Sequence, residues 1–218
     1  MSIYLYLLYT LAYLVLLLYG AVLWRRQHHA STLLLLLVTF GVFYDNLILT
    51  LGNWLGDGAL LHALSLPRFL LHQLALPWII YAAYDQARQA GQGWAQRPAL
   101  RWGAIALSAL VMVAGIATRL WTLRLEPEIM DGVLRYVAIG TAGPPIVSIV
   151  SIGLVGIGGL VFWRQNRWPW IFLAAVAVFI GESLPDESLR RAVGSALEVL
   201  FMGVLFVTQQ RLDEKKMG

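Results

Sequence analysis

Seven long apolar stretches, joined by short polar links, take up most of this sequence. Each is close to the roughly 20 residues that an α-helix needs to cross about 30 Å of hydrocarbon. Only 13% of the residues are charged, whereas soluble domains carry about 25%. We therefore predict an all-α integral membrane protein with seven transmembrane helices in a single domain, residues 1–218. The predicted spans are Ile3–Leu23, Leu33–Leu51, Phe69–Ala87, Trp102–Leu120, Pro145–Phe162, Pro169–Leu184 and Val193–Val207.

The basic residues of the links are distributed unevenly. If the first stretch is retained and its N-terminus lies outside, ten of the 16 Lys and Arg residues fall on the inner side. Because positive residues favour cytoplasmic loops, we expect an N-out, C-in topology in a bacterial-type cytoplasmic membrane, with residues 208–218 as a short charged cytoplasmic tail. The ten residues are Arg25, Arg26, Arg88, Arg97, Arg101, Arg164, Arg167, Arg211, Lys215 and Lys216.

Two outer links are predicted to contain short helices. Ala59–Leu66 follows a glycine-rich turn and is expected to lie in the membrane interface before Pro67 starts the third span. Glu126–Val137 is expected to form a short surface helix after Pro127. Within the third span, Pro77 removes a backbone hydrogen bond, so we expect a kink there.

Short recurring patterns suggest how the spans pack. Small residues allow helices to approach closely in a membrane, and the fifth span contains Gly153, Gly156, Gly158 and Gly159.

Similar Trp-Arg segments end the first and fifth spans, at Trp24 and Trp163. The matching positions give the hypothesis of a 3+1+3 pseudo-repeat.

Ionisable side chains inside the predicted spans are costly, because a charge there costs at least about 2.5–3.5 kcal/mol on insertion scales. With a rise of about 1.5 Å per residue, four of them, each on a different helix, lie in the same outer layer. Such groups normally face the bundle interior and mark a functional site. The four residues are Asp45, His72, Glu182 and Glu198.

Polar neighbours extend this outer layer along the same helices. We therefore predict a polar cavity that opens outward and binds a small or lipid-derived molecule. The predicted ligand-binding residues are Tyr44, Asn46, Arg68, Glu182 and Ser195.

Three functions agree with such a cavity. The first is a proton- or cation-coupled transporter, in which Asp45 or Glu198 is the coupling carboxylate. Arg68 and His72 would then orient an anionic group of the substrate. The second is an intramembrane lipid-acting hydrolase or transferase with Asp45, His72 and Glu198 as catalytic residues. The third is a sensor or assembly subunit without turnover.

The chain has no cysteine and has lysine only at its C-terminal end, and both facts exclude certain cofactors. A retinal Schiff base requires an intramembrane lysine, and the chain has only Lys215 and Lys216, so retinal is excluded. The absence of cysteine excludes cysteine-based metal sites, so zinc would have to bind through His, Asp and Glu. In the enzyme alternative His72 is either an acid or a metal ligand, and no definite metal site is assigned. The expected partners are the lipid bilayer and a small-molecule or lipid ligand. Nucleic acid is not expected, because the basic residues are spread over many short loops.

Overall fold

Residues 3–140 and 145–217 are described by a computed structural model of the chain. The α-helices of these residues are α1 Ile3–Gln27, α2 Ala30–Leu55, α3 Ala59–Ala75, α4 Trp78–Gln89, α5 Pro98–Gly115, α6 Ile146–Asn166, α7 Trp170–Glu182 and α8 Glu187–Met217. A short 3₁₀ helix, Gly93–Gln96, precedes α5, and a π-helical turn, Ile116–Leu120, follows it. If α3 and α4 are taken together, six of the helices in the described residues are long and apolar enough to cross a membrane, and α7 is shorter.

The apolar helical bundle agrees with the predicted architecture of a polytopic membrane protein. Helix α7 has 13 residues, which corresponds to about 20 Å and is less than the hydrocarbon thickness of about 30 Å. The seventh crossing, the orientation of the termini and the pseudo-repeat stay predictions.

Most helices bury one face against their neighbours and leave an apolar face outside, whereas α4 is buried on nearly all sides. Helix α1 packs on α2 and α8, α4 packs on α5 and α6, and α7 packs on both α6 and α8. The side chains of Tyr13, Leu35 and Phe206 are fully buried in the core, whereas Leu18 and Ile157 are more than 60% exposed. Exposed residues of this kind are suited to lipid contact.

Glycines bring α6 and α7 close together, as predicted. A Cβ added at Gly159 would lie 2.8 Å from the backbone nitrogen of Phe172, and one added at Gly156 would lie 3.1 Å from the Cβ of Ala175. A Cβ at Gly158 would meet no neighbour within 4 Å, so that glycine has no such packing role.

The third span begins earlier than predicted. Helix α3 runs from Ala59 to Ala75 without interruption and contains Pro67, so the separate interfacial helix Ala59–Leu66 is wrong. Pro67 leaves the carbonyl of Ala63 without its helical donor, and Ala63 is exposed in the first turns of α3. The predicted kink is present as a break between α3 and α4 at Leu76 and Pro77.

The predicted surface helix at Glu126–Val137 is also wrong, because this segment is a β-hairpin. Strands β1 (Arg124–Met130) and β2 (Val133–Ile139) pair antiparallel. They are joined by Asp131 and Gly132, whose φ angles are 53° and 77°. Two central residues with positive φ match the right-handed twist of the flanking strands. The Asp-Gly pair is therefore the local reason for a hairpin.

The hairpin lies across the ends of α2 and α3, and we call this end of the bundle the hairpin end. Asn53 anchors the hairpin turn: its Nδ2 donates to the Gly132 carbonyl (2.8 Å), and its Oδ1 accepts from the Leu134 amide (2.6 Å). A Cβ at Gly52 would collide with the Leu134 carbonyl oxygen. The hairpin is thus held directly on the backbone of α2.

Gly52→Ala should loosen the hairpin, because the added methyl group occupies the position of a β2 carbonyl. We expect a loss of about 1–3 kcal/mol of unfolding free energy and faster trypsin cleavage at the hairpin arginines. Gly103→Ala is the matched control, since a Cβ there meets nothing within 4 Å and should stabilise α5 by about 0.5–1 kcal/mol. Thermal unfolding in detergent compares the two, and equal effects would contradict the close approach at Gly52.

Candidate functional site

A central cavity of about 260 Å³ lies inside the bundle below the hairpin. Strand β2 and every helix except α5 contribute to its lining, which is apolar in part and polar in part. Its apolar lining is Val38, Val42, Leu49, Leu76, Ile79, Ile152, Phe201 and Met202. Its polar lining is Tyr6, Tyr13, Asp45, Asn46, Arg68, His72, Arg135, Glu182, Arg191, Ser195 and Glu198.

The cavity brings together seven of the eight residues predicted for the site. The exception is Tyr44, whose hydroxyl donates to the Leu64 carbonyl (2.9 Å) and joins α2 to α3. That the other seven bind a ligand stays a prediction. They come from four helices, α2, α3, α7 and α8, and helix periodicity places the residues that share a helix on one face of it. Glu182, the last residue of α7, is exposed at the edge of the cavity.

The centre of the site is an ion pair between Asp45 of α2 and Arg68 of α3. The Arg68 Nε donates to Asp45 Oδ1 at 2.7 Å, and its Nη1 donates to the Tyr136 carbonyl at 3.4 Å. The Arg68 side chain is only 8% exposed, whereas that of Asp45 is 38% exposed. Asp45 therefore keeps a free surface toward the cavity while its charge is compensated.

His72 has a partner that the sequence did not reveal. Its Nε2 lies 3.1 Å from the Oγ of Ser148, in the first turn of α6. Which of the two groups donates depends on the tautomer of the imidazole. Nothing around Ser148 distinguishes it from the other small polar residues of the spans, so only the fold could identify it.

Several further cavity groups have no hydrogen bond or ion pair with another residue of the described ranges. Besides Glu182 and Ser195, they include Glu198 and Tyr13, whose hydroxyl is buried. All four line the cavity. They are therefore available to contact water, a cation or a ligand.

The end of the cavity nearest the hairpin, which we call its mouth, is lined by two more arginines, Arg135 and Arg191. Arg191 of α8 is neutralised by Asp131 and Glu187, each at 2.6 Å. Arg135 of β2 donates instead to the Tyr6 hydroxyl at 3.3 Å and has no ion pair with an acid in residues 3–140 or 145–217. An anionic ligand would find an uncompensated guanidinium there.

Sequence reasoning overlooked the first helix. Tyr6, Tyr9 and Tyr13 recur at helical spacing, and all three are buried. Their i, i+3 and i+7 spacing was the available signal for a face turned to the interior, although the same helix also contains the exposed Tyr4.

The hairpin is fixed over the cavity by its second strand. Tyr136 donates its hydroxyl to Asp57 Oδ1 at 2.7 Å, in the link between α2 and α3. The pKa of Tyr136 is raised above its ordinary value, chiefly because this hydrogen bond to a carboxylate favours the protonated phenol. The contact therefore persists at neutral pH and keeps Arg135 at the mouth.

A second cavity of about 260 Å³ lies beside the first, between α3, the π-helical turn and the start of α6. We call it the lateral cavity. It shares Asp45, Arg68 and His72 with the central cavity. Its other lining residues are Phe69, Gln73, Thr118, Arg119, Leu120, Leu123, Ala138, Pro145, Ile146, Val147 and Ser148.

The opposite end of the bundle is closed by a buried network of polar side chains. Asp85 of α4 accepts hydrogen bonds from the Ser31 amide (3.3 Å) and from Gln89 (2.8 Å). Gln209 of α8 accepts from the Ser31 hydroxyl (2.8 Å) and donates to Gln89 (2.8 Å) and Asp213 (2.9 Å). The stretch predicted as a cytoplasmic tail thus continues α8, and its first turns are packed into this network.

The sequence matches no protein-family model and no curated protein. In the described ranges, no group of three or more His, Asp or Glu side chains is arranged to hold a metal ion. The functional conclusion therefore depends on the two cavities and their side chains.

Removing either partner of the Asp45–Arg68 pair should destabilise the bundle, because the remaining charge stays in the interior without compensation. In a double-mutant cycle of Asp45→Asn and Arg68→Gln, we expect a coupling energy of about 1–3 kcal/mol, measured by denaturant unfolding in detergent. Glu187→Gln removes a carboxylate that is 63% exposed and should cost less than about 1 kcal/mol. Additive effects of the two cavity substitutions would show that the pair does not hold the site together.

Proposed function

We propose that this protein spans the membrane seven times, with its N-terminus outside, and transports a small anionic or amphipathic molecule together with a proton or cation. The observation that carries the proposal is the composition of the central cavity, which combines a paired carboxylate, an unpaired carboxyl and uncompensated positive charge. The larger number of basic residues at the opposite end supports the orientation.

Exchange of partners at Arg68 links the anion to the proton. A carboxylate or phosphate that enters the cavity can replace Asp45 as the partner of Arg68, which lies 2.7 Å from Asp45. Asp45 then has no counter-charge and takes up a proton or a cation. Because this linkage is reciprocal, protonation of Asp45 also favours anion binding.

The two ends of the bundle support an alternating-access cycle. The hairpin end contains the ligand cavity, whereas the opposite end is closed by the hydrogen bonds of Gln209 with Ser31, Gln89 and Asp213. Release on that side requires these bonds to open. Glu198 lies between the two ends on α8 and is available to carry the coupled proton.

Asp45→Asn should remove the pH dependence of anion binding. In the wild type, the affinity for a small carboxylate such as benzoate should fall as the pH rises, because binding requires a proton on Asp45. In the variant, Arg68 is permanently free, so the affinity at neutral pH should rise by about tenfold, equivalent to roughly 1.4 kcal/mol, and should no longer change with pH. Isothermal titration calorimetry in detergent measures both profiles.

Glu126→Gln is the control for this experiment, because Glu126 is an exposed carboxylate on β1 that pairs with Val137 and lies outside both cavities. It should keep the wild-type profile. Identical pH profiles for wild type and Asp45→Asn, or no binding by a panel of small carboxylates and phosphates, would contradict the proposed function.

A second candidate function is hydrolysis of a lipid ester, which is favoured by the His72–Ser148 contact of 3.1 Å. Ser148 Oγ would attack the ester carbonyl while its proton passes to His72 Nε2, and the alcohol would leave with that proton. Water would then release the acyl group from Ser148. This reaction requires the tautomer in which His72 Nε2 accepts the hydrogen bond.

Labelling by a fluorophosphonate tests the second candidate. The wild type should be labelled, Ser148→Ala should not, and His72→Gln should react about 100-fold more slowly because the general base is lost. Ser151→Ala is the matched control, since Ser151 is one turn further along α6 and lines neither cavity. Absence of wild-type labelling would leave transport as the remaining candidate.

A further inference from the structure

The two cavities share three lining residues, Asp45, Arg68 and His72. We call these residues the common wall, and the Asp45–Arg68 ion pair lies within it. Each space of about 260 Å³ is slightly smaller than a typical ligand site of about 300–1,000 Å³. Joined together, the two spaces fall within that range.

The lateral cavity lies close to the surface of the bundle at the start of α6. Helices α3 and α6 make little direct contact in the described ranges, and residues of both helices line the cavity. Ile146, one of its lining residues, is 50% exposed. Because Ile146 is the first residue of an apolar span, an opening at this residue would lie where hydrocarbon meets the lipid headgroups.

The lining of the lateral cavity indicates the chemistry of the ligand. Its lining contains two arginines, Arg68 and Arg119, and one aspartate, Asp45, which is the partner of Arg68. Basic side chains therefore outnumber acidic ones in this lining. The remaining surface is mainly apolar, with Phe69 and Leu120 among its larger side chains. An anionic headgroup beside an aliphatic chain satisfies both parts of such a lining.

We propose that the lateral cavity is an access site through which an anionic, single-chain amphiphile passes from the bilayer into the central cavity. The headgroup reaches Arg68 from the lateral side and displaces Asp45, and this exchange opens the common wall. This inference rests on the proposed function and specifies its substrate class and its route. It differs from access through the mouth beneath the hairpin, which a water-soluble anion would use.

The test uses the full chain in phosphatidylcholine vesicles, with a photoreactive analogue of palmitate as the lipid probe and benzoate as the water-soluble probe. Ile146→Trp narrows the opening of the lateral cavity. Ile157→Trp is the matched control, because Ile157 lies on the same face of α6 about three turns further along, is 65% exposed and lines neither cavity. Thermal unfolding verifies that both variants are folded.

Wild-type protein should be labelled by the palmitate analogue at residues lining the lateral and central cavities, and unlabelled palmitate should compete. Ile146→Trp should reduce labelling by about tenfold, as a clash introduced into a ligand site does, whereas Ile157→Trp should leave it unchanged. Benzoate binding should be the same in all three proteins. Leu123→Trp obstructs the same cavity from the segment after α5 and should reproduce the effect of Ile146→Trp.

Equal labelling of the two α6 variants would overturn the lateral route. Benzoate binding without specific palmitate labelling would also overturn it and would leave the proposed function intact. If the wild type bound neither probe, the proposed function would fail together with the inference.

Discussion

A carboxylate inside an apolar helix requires a compensating group, and at Asp45 that group is the guanidinium of Arg68. The pair fixes the direction in which α2 and α3 face each other. Through the Tyr136 carbonyl, Arg68 also reaches the hairpin, so one side chain connects two helices with the cover of the cavity. The pair lines both the central and the lateral cavity, so it is a structural contact and, in the proposed lateral route, also the barrier between them.

The central cavity exists because polar side chains and helix spacing act together. Helices α6 and α8 are each packed on α7 and make little direct contact with each other, which leaves room in the middle of the bundle. Side chains such as Glu198 and Tyr13 line that space without protein partners in the described ranges. In the proposed function, the ligand and the coupled ion supply the missing partners.

The membrane architecture and much of the site could be predicted because hydrocarbon penalises charge so strongly. An ionisable residue in an apolar span stands out, and this single criterion led to Asp45, His72 and Glu198. The criterion does not apply in polar links, where the Asp131-Gly132 turn was overlooked and a helix was predicted instead of a hairpin. It also does not apply to uncharged side chains, so Ser148 and Tyr13 were identified only when the helices were seen packed together.

The length of α8 connects the events at the two ends of the bundle. Its 31 residues extend over about 46 Å, with Arg191 and Glu198 toward the cavity and Gln209 in the closed network. The helix packs on α1 and α7 and is unbroken between the cavity and the network. A rigid tilt of α8 that widened the cavity would therefore also move Gln209, so binding of a ligand at one end would disturb amide hydrogen bonds that the ligand never contacts.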